Sequence, residues 1–178
     1  ADYPDLNIKR MKIQVIEMQD ELLKSMSDNA SKKALSYLKE LGVDVMLNKS
    51  VASFDGDKLT FKSGEELESK TLIWAAGVRG NVINGFPETS IDRGMYVVDR
   101  TSKVKGFENI YAVGDIAYMT TPLFESGLPQ VAPVANQQGT FLAKNLVRVR
   151  NNEKPLEFEY NDQGSMATIG RNRAVVDM

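Results

Sequence analysis

The 178 residues contain no cysteine and no histidine. The first absence removes disulfides, thiolate nucleophiles, cysteine-ligated iron–sulfur clusters and any dithiol relay within the chain. The second removes the commonest zinc ligand and the usual general base of a Ser-His-Asp site. There are 13 glycines, but no two are separated by a single residue, and the G-x-G-x-x-G loop that cradles a dinucleotide pyrophosphate is missing. No apolar run approaches the roughly 20 residues needed to cross a bilayer. The net charge is only −2, without a basic stripe for nucleic acid. Any redox chemistry therefore needs a bound organic cofactor to carry the electrons.

What remains is an ordinary globular composition, 42% hydrophobic, with length enough for one domain or two small ones. The polar stretch Asp2 to Asn7 gives the expectation of no secretory leader. A start at Ala1 and an end at Met178, just past the apolar residues Ala174 to Val176, read as cuts through a longer protein.

The stretch Asn109 to Ala117, NIYAVGDIA, organises the chain. Ile110 to Val113 reads as a short buried strand ending at Gly114 and Asp115. The glycine lets a ligand approach the backbone and the aspartate offers an acceptor at the carboxyl end of a strand, where open α/β sheets bind cofactors. The same dipeptide also reads as a plain turn after a core strand.

Upstream, Met11 to Glu17 alternates apolar and polar residues and ends in a carboxylate. Ser27 and Asp28 are N-cap candidates for a helix carrying Ala34, Leu38 and Leu41 on one face and stopping at Gly42. Val43 to Leu47 is the next parallel strand. Val51 to Phe54 and Lys58 to Phe61, with turns at 55–57 and 63–64, suggest an antiparallel meander. Thr71 to Gly77 is a continuous apolar strand with Trp74 in the core. Its small residues Ala75, Ala76 and Gly77 serve either a dinucleotide or tight strand packing. Asp92 to Gly94 marks a hairpin turn before Tyr96 to Asp99, and 122–129 is a surface loop. Pro133 suits the first turn of a helix running to Arg150, with an apolar stripe of Phe141 or Leu142, Leu146 and Val149. Leu156, Phe158 and Tyr160 alternate before a turn at 161–164, and Ser165 to Ile169 pairs with them as a hairpin.

Five stretches taken in order, VIEMQDELL (15–23), TLIWAAGVRG (71–80), NIYAVGDIA (109–117), APVANQQG (132–139) and GSMATIGR (164–171), resemble the type II NADH dehydrogenases. These are single-subunit, FAD-dependent NADH:quinone oxidoreductases. The resemblance implies an α/β fold made of parts of two doubly wound, Rossmann-like domains with antiparallel meander crossovers. Residues 1–79 would be the later part of the NAD(H)-binding domain. Residues 80–178 would be the returning half of the FAD-binding domain, truncated before a C-terminal membrane anchor.

In that family an aspartate after a strand and glycine binds the ribityl chain. The resemblance accordingly assigns FAD to Gly114, Asp115, Ala132, Pro133, Val134, Ala135, Asn136 and Gln137. It assigns NAD to Glu17, Ala76 and Gly77, and quinone to Gln137 and Gln138. Glu17 also reads as a solvated strand-end carboxylate, and the two glutamines as polar residues on a helix face. The family more often has Gln where Pro133 stands, which puts quinone contact there in doubt. A helix start facing the flavin contributes about 1 kcal/mol, roughly 20 mV for a two-electron couple, so it tunes the cofactor without creating its chemistry.

The implied activity is hydride transfer from NADH to flavin, followed by delivery of two electrons to a membrane quinone in the respiratory chain. The complete protein would sit on the cytoplasmic face of the cell membrane, while the present fragment would be soluble and inactive alone. Two alternatives are a soluble NADH-dependent reductase of a protein or iron–sulfur partner and a non-catalytic dinucleotide-fold domain. Open sheet edges predict a homodimer or strand exchange, and no nucleic-acid partner is expected.

Overall fold

Ser27 ends an extended stretch and starts the first helix. In the computed structural model, which describes residues 11–178, its Oγ accepts from the Ala30 N–H at 3.3 Å, satisfying one of the unpaired amides at the start of α1 (Asp28–Glu40). Asp28 in the first turn and Lys39 in the last have the signs that suit the helix dipole. Gly42, at φ +79°, ends the helix. The helix joins β1 (Gln14–Ile16) to β2 (Asp44–Met46), which pair in parallel with Gln14 opposite Asp44. The expected strand, helix, strand unit is therefore present. The polar stretch 2–7 lies outside the described residues.

The chain divides into two compact units. One runs to Trp74 and resumes at Gly164–Met178; the other is Ala75–Gln163.

In the first unit, β3 (Val51–Phe54), β4 (Lys58–Phe61) and β5 (Glu66–Glu68) form the expected antiparallel meander. Its first turn is closed by Asp55, whose carboxylate accepts from the N–H groups of Asp57 and Lys58 at 2.9 and 2.7 Å. β9 (Ser165–Ile169) and β10 (Arg173–Asp177) make an antiparallel hairpin, and Ile169 and Val175 bury with Leu22, Ala30 and Ala34. The hairpin is tied to both ends of α1. Asp177 accepts from the Ser27 N–H and Oγ, while Arg173 pairs with Glu40 and covers the Tyr37 ring.

In the second unit, β6 (Ile91–Asp92) turns through Arg93 and Gly94, both at positive φ, into β7 (Met95–Val98). β7 then pairs in parallel with β8 (Ala117–Met119). α2 (Ala132–Arg150) packs Val134 into a core with Tyr96, Val98, Ala112, Met119, Phe158 and Tyr160. The described residues thus form a mixed α/β chain of small sheets. None of their helices is long and apolar enough to cross a membrane.

Four local expectations need correction. Residues 71–77 form no strand, and Trp74 is 67% exposed rather than core. A continuous apolar run becomes a buried strand only when neighbours complete its ladder and cover both faces, and these residues have no ladder partner among the described ones. Residues 110–113 are extended, but their strand shrinks to a single bridge between Lys103 and Tyr111, and the regular strand follows the Gly-Asp pair as β8. On α2 the buried positions are Val134, Gln138 and Asn145, whereas Leu146 and Val149 are exposed. Hydrogen bonds from two amides to backbone decide that face, which apolar periodicity does not register. Finally, Leu156 to Tyr160 joins no ladder, because Ser165 to Ile169 pairs with β10 instead. Phe158 is held by Arg100, which accepts its N–H through the backbone carbonyl at 2.8 Å and donates Nε to its carbonyl at 2.9 Å.

Candidate cofactor-binding site

The second unit brings Gly114 and Asp115 against the start of α2. The extended stretch before them ends in a 3-10 turn, Gly114–Ile116, that opens with Gly114 at φ +72°. A Cβ at that position would lie 3.2 Å from the Ala135 Cβ, so glycine meets two demands at once: left-handed backbone and close approach of the helix. Two glutamines hold the turn. Gln138 accepts the Gly114 N–H on its Oε1 at 2.7 Å, and the Gln130 Nε2 donates to the Asp115 carbonyl at 2.7 Å. Gln138 is completely buried, with its Nε2 on the Met119 sulfur at 3.8 Å, so the amide is satisfied at both ends. The Asp115 backbone is fixed, yet its side chain is exposed and makes no hydrogen bond or ion pair with any described residue.

The facing helix start is equally open. Val131, at the N-cap, contributes no side-chain acceptor, and the first turn contains Pro133 but no acidic residue. The positive end of the helix is therefore left without a capping side chain or a first-turn acid among the described residues. Ala132, Pro133 and Asn136 are exposed, Ala135 is half-buried, and Val134 faces the core. A carboxylate without a partner among the described residues, beside the uncapped Ala132 and Val134 amides, suits a ligand that presents hydroxyl donors on one side and acceptors or negative charge on the other.

Gln137 points elsewhere. Its Nε2 donates to the Asn161 carbonyl at 3.0 Å and its Oε1 accepts the Asn161 N–H at 3.1 Å. With Asn136, Thr140, Phe141, Lys144, Phe158 and Glu159 it lines an open cavity of about 410 Å³ in which the Phe141 and Phe158 rings meet edge to face. Both candidate quinone glutamines thus have their amides engaged with backbone, Gln138 behind the turn and Gln137 at the edge of a cavity.

Glu17 belongs to the first unit and stands at the end of β1. Its N–H bonds the Met46 carbonyl, and its carboxylate accepts from the Gln19 N–H at 2.8 Å through one oxygen. Ala76 and Gly77, the latter at φ +105°, are exposed in the irregular segment that opens the second unit. Sequence reasoning missed Gln130. Its place just before a helix start was visible, but the carbonyl it meets is 15 residues away.

The chain is 32% identical to a type II NADH:quinone oxidoreductase of Staphylococcus aureus (strain NCTC 8325 / PS 47), a match covering 93% of this chain and 42% of that protein. It spans less than half the length of the curated relatives it matches. Among solved structures it resembles an NDH2 from Plasmodium falciparum in complex with NADH, with a TM-score of 0.81 at 20% identity over 94% of this chain and 50% of the other. It also resembles a NAD-dependent persulfide reductase from A. fulgidus, with a TM-score of 0.69 at 22% identity over 90% and 30%. Residues 6–139 match the family described as pyridine nucleotide-disulphide oxidoreductase. A match over that share of the chain, with the glycine-aspartate turn and the open helix start inside it, shows that the chain belongs to that family.

Proposed function

We propose that this chain is part of a type II NADH:quinone oxidoreductase that binds FAD and NAD(H). When bound, FAD would supply the two-electron redox chemistry between NADH and a quinone. The observation that carries the reading is the Asp115 carboxylate, which has no partner among the described residues and is fixed through its backbone beside the uncapped start of α2. In this role Asp115 accepts hydroxyls of the ribityl chain. The start of α2, Ala132 to Gln137, would lie against the flavin with the Ala132 and Val134 N–H groups of its first turn toward it, and Gly114 would leave room for the approach. No side chain moves a proton: the residues bind, orient and hold.

Glu17 would accept the adenosine ribose hydroxyls of NADH and repel a 2′-phosphate, with Ala76 and Gly77 giving the backbone close access. Gln137 would border the quinone path, where the cavity offers the aromatic faces of Phe141 and Phe158. Gln138 supports that path from within the core. In the complete protein, residues 1–79 would continue the NAD(H)-binding domain and residues 80–178 the FAD-binding domain, each doubly wound. The β9–β10 hairpin packs on α1 in the present chain. A homodimer and attachment to the cytoplasmic face of the cell membrane, through a segment outside this chain, complete the proposal.

One observation favours a second reading. Both glutamine amides proposed for the quinone are already bonded to backbone, which leaves room for a reductase of a protein or iron–sulfur partner. Turnover by the complete, flavin-loaded protein separates the two. NADH oxidation that depends on added quinone is the expected result. Oxidation of NADH only with a protein acceptor would support the second reading, and a colourless protein without flavin would contradict both.

A further inference from the structure

We infer that Gln130 and Gln138 are positioning residues that lock the Asp115 carboxylate in register with the start of α2. The inference rests on the reading of Asp115 as a FAD ligand. The three-residue turn Gly114–Ile116 has little of its own to hold it, since one internal bond, from the Ala117 N–H to the Gly114 carbonyl, closes it. The backbone groups on either side of the Gly114–Asp115 peptide have no ladder to join. Gln138, from the second turn of α2, takes the Gly114 N–H, and Gln130, just before the helix, takes the Asp115 carbonyl.

Both braces originate on α2 or its approach, so turn and helix start move together. The carboxylate and the helix amides then meet one ligand in a fixed relation without reordering on binding. The chemistry demands amides. A carboxylate at position 130 would put an acceptor against the Asp115 carbonyl. A leucine at 138 would leave the Gly114 N–H without its acceptor behind an apolar wall.

Equilibrium titration of the complete apoprotein with FAD, followed by flavin fluorescence, tests this alongside thermal melting of the same apoproteins. Gln130→Glu keeps the shape of a partly exposed side chain, exchanges the donor for an acceptor and adds one negative charge, and Gln130→Met, which has neither donor nor charge, separates loss of the brace from repulsion of the ligand. Both should raise the FAD dissociation constant, Gln130→Met about tenfold, with an unchanged melting temperature. Gln138→Leu should weaken FAD by a similar factor. If Gln138→Leu fails to fold, Gln130→Met decides alone. Asp115→Ala is the control. Weakened FAD binding by Asp115→Ala together with wild-type binding by Gln130→Met overturns the inference and leaves the Asp115 reading standing. Wild-type binding by Asp115→Ala overturns both.

Discussion

Asp177 and Glu17 are both carboxylates at strand ends, and their neighbours give them different work. Asp177 accepts from the backbone N–H of Ser27 first and from its hydroxyl second, which holds its carboxyl below the usual aspartate range. A folded pKa below the unfolded one contributes stability that is complete above the ordinary aspartate value and is lost as pH falls through the lowered one. Asp177→Asn should therefore lower the melting temperature at pH 6, with a deficit that shrinks as the pH is taken below the ordinary aspartate value. A deficit that stays the same as the pH falls would contradict this. Glu17 has one oxygen engaged, by the Gln19 N–H. Glu17→Gln keeps that acceptor and loses the charge, so the preference of the complete protein for NADH over NADPH should fall roughly fivefold to tenfold in dissociation constants. An unchanged preference would remove Glu17 from the nucleotide site. Ser27 and Gly42 were legible in the sequence because a cap and a helix stop are set by their own residue type, whereas Gly114, expected to admit a ligand, admits the helix at Ala135. Gln130 was not legible, since an amide declares nothing of the distant carbonyl it meets.

At the scale of elements, α2 is a template as much as a core helix. Arg148 donates to the Lys154 carbonyl at 3.0 Å, and Asn145 bonds both the N–H and the carbonyl of Leu156 at 2.9 Å. Gln137 does the same for Asn161. Side-chain amides replace a neighbouring strand along residues 154–161, which explains why Phe158 and Tyr160 bury without a ladder. Asn145→Leu leaves the Leu156 N–H and carbonyl without those partners and should cost about 2 kcal/mol in urea unfolding. A loss within about 0.5 kcal/mol would show that the segment is held by its aromatics alone. The alternating run at 156–160 was readable as extended, but its partner was not. For α1, the meander and the β6–β7 hairpin, caps and turn residues sufficed because those signals are local. The apolar run 71–77 misled for the opposite reason: its burial depends on strands that the described residues do not place beside it.

For the whole molecule, the exposed apolar side chains matter most. In the first unit, Met11, Ile13, Met18 and Trp74 are 56 to 67% exposed and Ile73 is 84% exposed. In the second unit, Val78, Ile83 and Leu123 are 61 to 73% exposed. Such surfaces, together with two- and three-stranded sheets whose edges are unpaired among the described residues, favour association. The chain on its own should sediment as a dimer or larger species at micromolar concentration, and a monodisperse monomer would refute that expectation. The chain is a small-sheet α/β member of its family, and its proposed hold on FAD centres on the Asp115 carboxylate, anchored through its backbone and without a side-chain partner among the described residues. The most direct measurement is the affinity of the complete protein for FAD when Asp115 is changed to Ala. A loss of at least about tenfold, with the melting temperature of the apoprotein unchanged, is predicted. FAD held as tightly as by the unaltered protein would contradict it.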